Sequence, residues 1–364
     1  MNATFDDFRA TLSTKQKEFL DKILDDETRQ KRKALEDSLV NDRNHLEIVN
    51  FCANLFLPGQ MIPEKTGYSF VLVEPLYPLR VKNFDLGFFR KENSSLILTE
   101  CKSSVSDSTG LIDDLNKSIV ETSSRKAELE RVLGNKIADP VEFAVCLPAV
   151  DAQDVHNEIV AKKAPICVWA ASLWERKMKL FGGREETKTE IELGRLHRDS
   201  NLNSILGTGV ESNLLRSIPI LPSSHMCTLL VYVAELIYLK TKERMVSSAE
   251  FQYSDVLNIL SKELKNMTGL SERDFEDLTT NVFRTAIKKD VFRDLTEDIE
   301  ELTRKMFQIS GRRTSAEVVR NNVEQSYLDH NAREKAKIQS LTQYKKEKGF
   351  TEITSWTPKD NGKT

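Results

Sequence analysis

Residues 81–102 read VKNFDLGFFRKENSSLILTECK. Two runs rich in branched and aromatic residues, 81–89 and 95–102, flank the polar segment Lys91–Ser94, the pattern of a β-hairpin. With the pairing axis midway between Glu92 and Asn93, Leu86 faces Thr99 and Asp85 faces Glu100. Directly opposed residues of an antiparallel pair have Cβ atoms roughly 4.5–5.5 Å apart. Lys102 follows Glu100 by two residues, so the strand period puts its ammonium on the same face.

The neighbours Phe84, Leu86, Leu96 and Leu98 predict a largely buried hairpin. Two opposed carboxylates are destabilising unless a cation compensates them, and burying unpaired charge is costly. A divalent cation held by hard oxygen ligands satisfies both demands. Mg²⁺ keeps several waters and takes one or two protein carboxylates, the number on offer. A purely structural ion-pair cluster is the competing reading. The Glu-x-Lys spacing alone says little, since it recurs at Glu175, Glu186 and Glu263.

Outward from the hairpin, Thr14 to Phe56 has a helical pattern, ended by Pro58-Gly59. A strand is predicted over 68–77, before the hairpin. After it come a helix over Leu111–Leu133, a strand over 141–148, a helix over Asp151–Lys163 and a strand over 165–171. The two later strands are continuous apolar runs, as expected of strands covered on both faces. The order α-β-β-β-α-β-α-β implies an antiparallel meander leading into helical crossovers, hence an α/β fold with a mixed sheet flanked by helices. On the helix over 43–56, Arg43, Glu47, Asn50 and Asn54 form one polar stripe. That stripe is either a solvated face or one turned to the active site. Glu74, on the first strand, is a further candidate.

Asn83-Phe84-Asp85 followed by Glu100-Cys101-Lys102, within this order of elements, resembles the PD-(D/E)xK nuclease superfamily, the restriction-endonuclease-like fold, over about residues 30–175. The proline usual before the aspartate is replaced by Phe84. The resemblance implies that Asp85 and Glu100 bind Mg²⁺, with Mn²⁺ as a substitute, and that the Cys101 carbonyl is a further ligand while its side chain faces away. Lys102 would orient or activate the attacking water, and Glu47 would be the acidic residue such folds often add from the first core helix.

The domain reading is a nuclease domain over 1–180 with a long N-terminal helical segment, a connecting segment over 181–217, and a helical domain over 218–364. In the last, Ser223 and Ser224 are placed to cap the apolar helix that follows. Ser271-x-x-Asp274 and Thr314-x-x-Glu317 have capping-box spacing. The helices around Met226–Leu264 fit a helix-turn-helix or winged module on duplex DNA, or a dimer interface. Phosphate contacts are open to Ser103, Ser104 and Lys117 after the motif. They are equally open to the basic patches Lys288-Lys289, Arg312-Arg313 and Lys345–Lys348.

The chain has 364 residues, 30% of them charged, with a net charge of −3, so no overall basic field marks a nucleic-acid binder. Five cysteines without C-x-x-C spacing read as reduced thiols, and no zinc pattern is present. The N-terminus lacks a basic segment followed by an apolar run. The longest apolar stretch, Met226–Leu239, contains Glu235 and reads as a core helix. The expectation is a soluble, cytoplasmic, homodimeric endonuclease of the restriction or phage-defence type acting on double-stranded DNA. The alternative is a non-catalytic DNA-binding or assembly subunit that keeps the fold.

Overall fold

The computed structural model describes residues 5–81, 83–182, 196–212, 221–243, 250–264, 268–296, 301–311 and 315–347. In chain order the elements begin with α1 (Phe5–Ala10), α2 (Thr14–Asn54), α3 (Met61–Thr66), β1 (Tyr68–Val73), β2 (Leu86–Arg90) and β3 (Ser95–Cys101). They continue with α4 (Ser108–Ser124), α5 (Lys126–Leu133), β4 (Glu142–Pro148), α6 (Ala152–Lys162), β5 (Ile166–Ser172), β6 (Lys177–Phe181), α7 (Ser200–Thr208) and β7 (Val210–Glu211). Then follow α8 (Met226–Glu243), β8 (Glu250–Gln252), α9 (Tyr253–Leu264), α10 (Glu272–Lys288), β9 (Phe292–Asp294), β10 (Met306–Ile309) and α11 (Ala316–Glu347).

The chain divides into two compact units. One comprises Asn41–Leu229 and Tyr253–Asn281; the other comprises Met1–Val40, Leu230–Gln252 and Val282–Thr364. The first unit is built on a mixed sheet of strand order β1-β2-β3-β4-β5-β6-β7. Its β3–β4 and β4–β5 pairs are parallel and the others antiparallel. One face is covered by Ile48 and Cys52 of α2 and Phe56 just after it, with Ile62 of α3 and Leu202 and Leu206 of α7. The other is covered by Ile112 and Leu115 of α4, Leu129 of α5, and Val155 and Ile159 of α6. With helices on both sides, β4 and β5 carry apolar residues on both faces, as their continuous apolar runs require. The hairpin register is the predicted one, from Leu86 opposite Thr99 to Arg90 opposite Ser95.

Several expectations need correction. Residues 81 and 83–85 are not strand, and the first strand stops at Val73. The helix predicted over 111–133 is two helices, with Arg125 outside both. The connecting segment predicted over 181–217 is not merely a linker, since its described part includes α7 and the edge strand β7. These short elements follow a charged, glycine-interrupted stretch that offers no periodicity to read. The region from 218 onward is mostly helical, but it also contains a three-stranded antiparallel sheet of order β8-β10-β9. The long N-terminal helical segment, read as part of the nuclease domain, splits at Val40, and its first half belongs with the C-terminal segments.

In that second unit, Leu20, Ile23 and Leu24 of α2 pack with Phe5 of α1 and Ala336, Leu341 and Tyr344 of α11. Phe283 of α10 meets Phe251, Phe292 and Phe307 of the small sheet, with ring centroids 4.8–6.1 Å apart. Ser271 and Asp274 form the predicted capping box: each accepts the other's amide, at 3.3 and 2.7 Å. Arg312, Arg313, Thr314 and the polar tail from 348 lie outside the described residues. Among the described helices none is long and apolar enough to cross a membrane.

The meander is held tightly at Gly87, where a Cβ would lie 2.7 Å from the Cβ of Leu72 on β1. Overpacking of this kind costs roughly 1–3 kcal/mol. Gly87→Ala is therefore expected to lower the urea midpoint by that amount of stability with an unchanged denaturant slope.

Candidate active site

The Leu86–Thr99 rung is the last of the β2–β3 ladder, and Asp85 stands one residue beyond it. Its side chain takes the place that a main-chain carbonyl would fill: Oδ2 accepts the Cys101 amide at 2.7 Å. Asp85 and Glu100 are therefore neighbours in the predicted register, but the carboxylate of Asp85, not its backbone, closes the strand end. The same Oδ2 lies 3.2 Å from His45 Nε2. Because this oxygen is already an acceptor, Nε2 is the donor.

On β3, Lys102 Nζ donates to Glu100 Oε1, so the residues predicted to share a face are an ion pair. The Lys102 amide bonds to the Cys146 carbonyl at 2.8 Å and continues the parallel ladder to β4. The Cys101 side chain points into the opposite layer, with Cys52 and Cys146. None of the five cysteines is in a disulfide and all are buried, as small hydrophobes are.

Glu74 joins the cluster from the end of β1. Its amide bonds to the Asp85 carbonyl at 3.0 Å. Its carboxylate accepts the Ser223 amide at 2.9 Å and also the Ser223 hydroxyl. Glu74 has a φ of 37°, in the left-handed region that costs a non-glycine residue energy. Such conformations persist where the surroundings over-determine them, and they concentrate at functional sites.

Burial raises the Glu100 pKa to about 7, and the Asp85 charge adds to the shift while Lys102 opposes it. Burial likewise raises Glu74 to about 7; Ser223 opposes that shift and Asp85 reinforces it. For Lys102 burial disfavours the charge, but Glu100 and Asp85 outweigh it, and its pKa rises. Lys102 is thus an ammonium here, a donor and a positive charge rather than a base. Burial also works against charge on His45, yet its hydrogen bond to Asp85 and the charge of that residue push its pKa up.

Of the predicted residues, Asp85, Glu100, Cys101 and Lys102 are brought together, and Glu74 is with them. Glu47 is not; it is exposed. Residues two apart on a helix point about 200° apart, so a helix that turns His45 to Asp85 turns Glu47 away. His45 was missed, although the sequence holds a signal for it. His45, Val49, Cys52 and Phe56 form one helical stripe whose last three members are fully buried, so His45 is a polar residue heading a core face. Ser223 was assigned to a helix cap, but its hydroxyl goes to Glu74. At the start of α8, Asp42 instead accepts the His225 amide at 3.1 Å and the Thr228 hydroxyl at 2.5 Å.

A cleft of about 460 Å³ opens beside Lys102 and runs to the start of α4. Ser104 and Lys117 line it, as predicted for phosphate contacts, but so do Asp107, Asp113 and Asp114. Lys117 pairs with Asp114 at 3.2 Å, so this cleft carries no surplus of positive charge.

Among the described residues, no three His, Cys, Asp or Glu side chains are grouped closely enough to hold a metal ion as they stand. The donor set nevertheless suits a hard divalent cation. Glu74 and Asp85 are buried and Glu100 is partly so, Lys102 and His45 are the cations beside them among the described residues, and burial shifts both glutamates toward the proton-bound form.

No family model and no solved structure matches the chain. It is similar to a protein of Archaeoglobus fulgidus described as "Uncharacterized protein", 23% identical over 351 residues, 91% of this chain and 93% of that relative.

The pKa shifts of Glu74 and Glu100 set a pH dependence. Both carboxyls bind protons more tightly in the folded chain, with pKa values raised from 4.5 to about 7. The stability they contribute is complete below pH 4.5 and is lost as the pH rises through 7. In buffer with chelator, Glu100→Gln and Glu74→Gln should melt above the wild type at pH 8, and the difference should close by about pH 5. An equal difference at both pH values would contradict the assignment.

Proposed function

We propose that this chain is a Mg²⁺-dependent nuclease of the PD-(D/E)xK type that hydrolyses phosphodiester bonds in DNA. The observation that carries the reading is the Asp85–Cys101 bond, which gathers Asp85, Glu100 and Lys102 at the carboxyl end of β3. An antiparallel meander β1-β2-β3 continuing into the parallel neighbour β4 supports it, because that arrangement is what the sequence resemblance implies.

Asp85 and Glu100 would hold the cation, with the Cys101 carbonyl as a further oxygen ligand. When bound, Mg²⁺ supplies a lowered pKa for an attacking water and positive charge for the developing phosphorane. His45 and the Cys101 amide hold Oδ2 of Asp85 and so fix the orientation of that carboxylate. Lys102 directs its ammonium toward the place where negative charge grows, a role for a preorganised cation rather than a proton acceptor. The buried Glu74 adds negative charge beside Asp85 and strengthens cation attraction.

The C-terminal chain order α8-β8-α9-α10-β9-β10, with strand order β8-β10-β9, supports the winged-module reading of this region over a plain helix-turn-helix. A recognition helix meets base edges with its N-terminal residues. In α10 the exposed residues there are Glu272, Arg273, Glu276 and Asp277, an acidic set that phosphates repel. We therefore assign these C-terminal helices and the small sheet to assembly, in a homodimer whose two sites would cut both strands, and DNA contact to the elements around the main sheet.

The test is cleavage of supercoiled plasmid and of single-stranded DNA and RNA, with Mg²⁺ or with chelator. Mg²⁺-dependent cleavage is expected, reduced at least about 100-fold in Asp85→Ala and in Lys102→Ala. Equal cleavage by wild type and both variants would remove the site assignment. Absence of cleavage on every substrate would leave the fold as a binding or assembly subunit.

A further inference from the structure

We propose that Trp174 is a stacking platform for an unpaired base of the strand being cut, an inference that rests on the nuclease reading above. Large apolar side chains are ordinarily covered, but Trp174 is 95% exposed, in the turn between β5 and β6. Among the described residues, the next most exposed large apolar side chain is Val150, 87% exposed, in the loop between β4 and α6. Both stand at the same edge of the sheet. Strands β3, β4 and β5 are parallel, so Lys102, Val150 and Trp174 all follow carboxyl ends of adjacent strands. The Ala149 amide bonds to the Ala171 carbonyl at 2.9 Å, which ties the loop of Val150 to the end of β5. Trp174 is two strands from Lys102, roughly 10 Å across the sheet.

The turn and the strand that follow carry Arg176, Lys177 and Lys179 against Glu175, and Arg176 and Lys179 are exposed. An exposed aromatic ring with cations alongside is the arrangement by which proteins bind single-stranded nucleic acid without reading its sequence. The base stacks on the ring and the cations follow the backbone. The acidic lining of the cleft beside α4 leaves this edge as the better electrostatic route for a strand leaving Asp85 and Lys102. Trp174 touches no reacting atom in this account; it positions substrate.

Its exposure makes Trp174 a safe site to vary. A fluorescein-labelled oligothymidine is titrated with the full chain in chelator, and cleavage of a single-stranded substrate is then followed in Mg²⁺. Trp174→Ala should weaken oligothymidine binding roughly 5- to 150-fold. It should raise KM comparably and leave kcat unchanged, while Trp174→Phe should restore most of the affinity. A wild type that cleaves, beside a Trp174→Ala variant with unchanged affinity and KM, would overturn this proposal alone. A wild type that neither binds nor cleaves any nucleic acid would overturn the nuclease reading and this proposal together.

Discussion

The carboxylates Glu74 and Asp85 are buried, and Glu100 beside them partly so, at one end of the main sheet, and their charge is the constraint around which the unit is arranged. Taking charge out of water is expensive unless hydrogen bonds and opposite charge replace the lost solvation. The chain answers with four donors from three separate segments. The Cys101 amide and His45 serve Asp85, Lys102 serves Glu100, and Ser223 serves Glu74. Together they tie three parts of the unit to one point: the last part of α2, the end of β3 and the segment before α8. Even so, burial raises both glutamates to about 7.

The local answer at Asp85 explains the shape of the hairpin. Had residues 81–85 continued β2, the Cys101 amide would have met a main-chain carbonyl and the Asp85 side chain would have pointed away from it. The ladder instead ends at Leu86, and the carboxylate substitutes for the missing rung. This joins fold and site in one bond: the contact that finishes β3 also holds the carboxylate beside Glu100 and Lys102.

What could be read from the sequence follows from the range of the interactions involved. The hairpin register was readable because a polar tip separates two apolar runs, and the order of elements was readable because β4 and β5 are unbroken apolar segments. The strand end was not, since a side chain competing for a main-chain position leaves no mark on periodicity. Glu47 stands out on this helix because it belongs to a conspicuous polar stripe. The informative residue was the single polar member of the buried stripe. Strands β7 to β10, of two to four residues each, are too short for alternation to declare them. Pairing of the first half of α2 with α11 depends on contacts across almost the whole chain, which no local pattern encodes.

The account stands or falls on whether the gathered carboxylates take up a divalent cation. Anomalous scattering from crystals of the full chain soaked in Mn²⁺ measures this directly, with Asp85→Asn crystals as the control. The account predicts a peak coordinated by Asp85 and Glu100 in the wild type and its loss in the variant. A wild-type map with no peak there, and with Lys102 still paired to Glu100, would contradict it and leave the cluster as a structural ion-pair network.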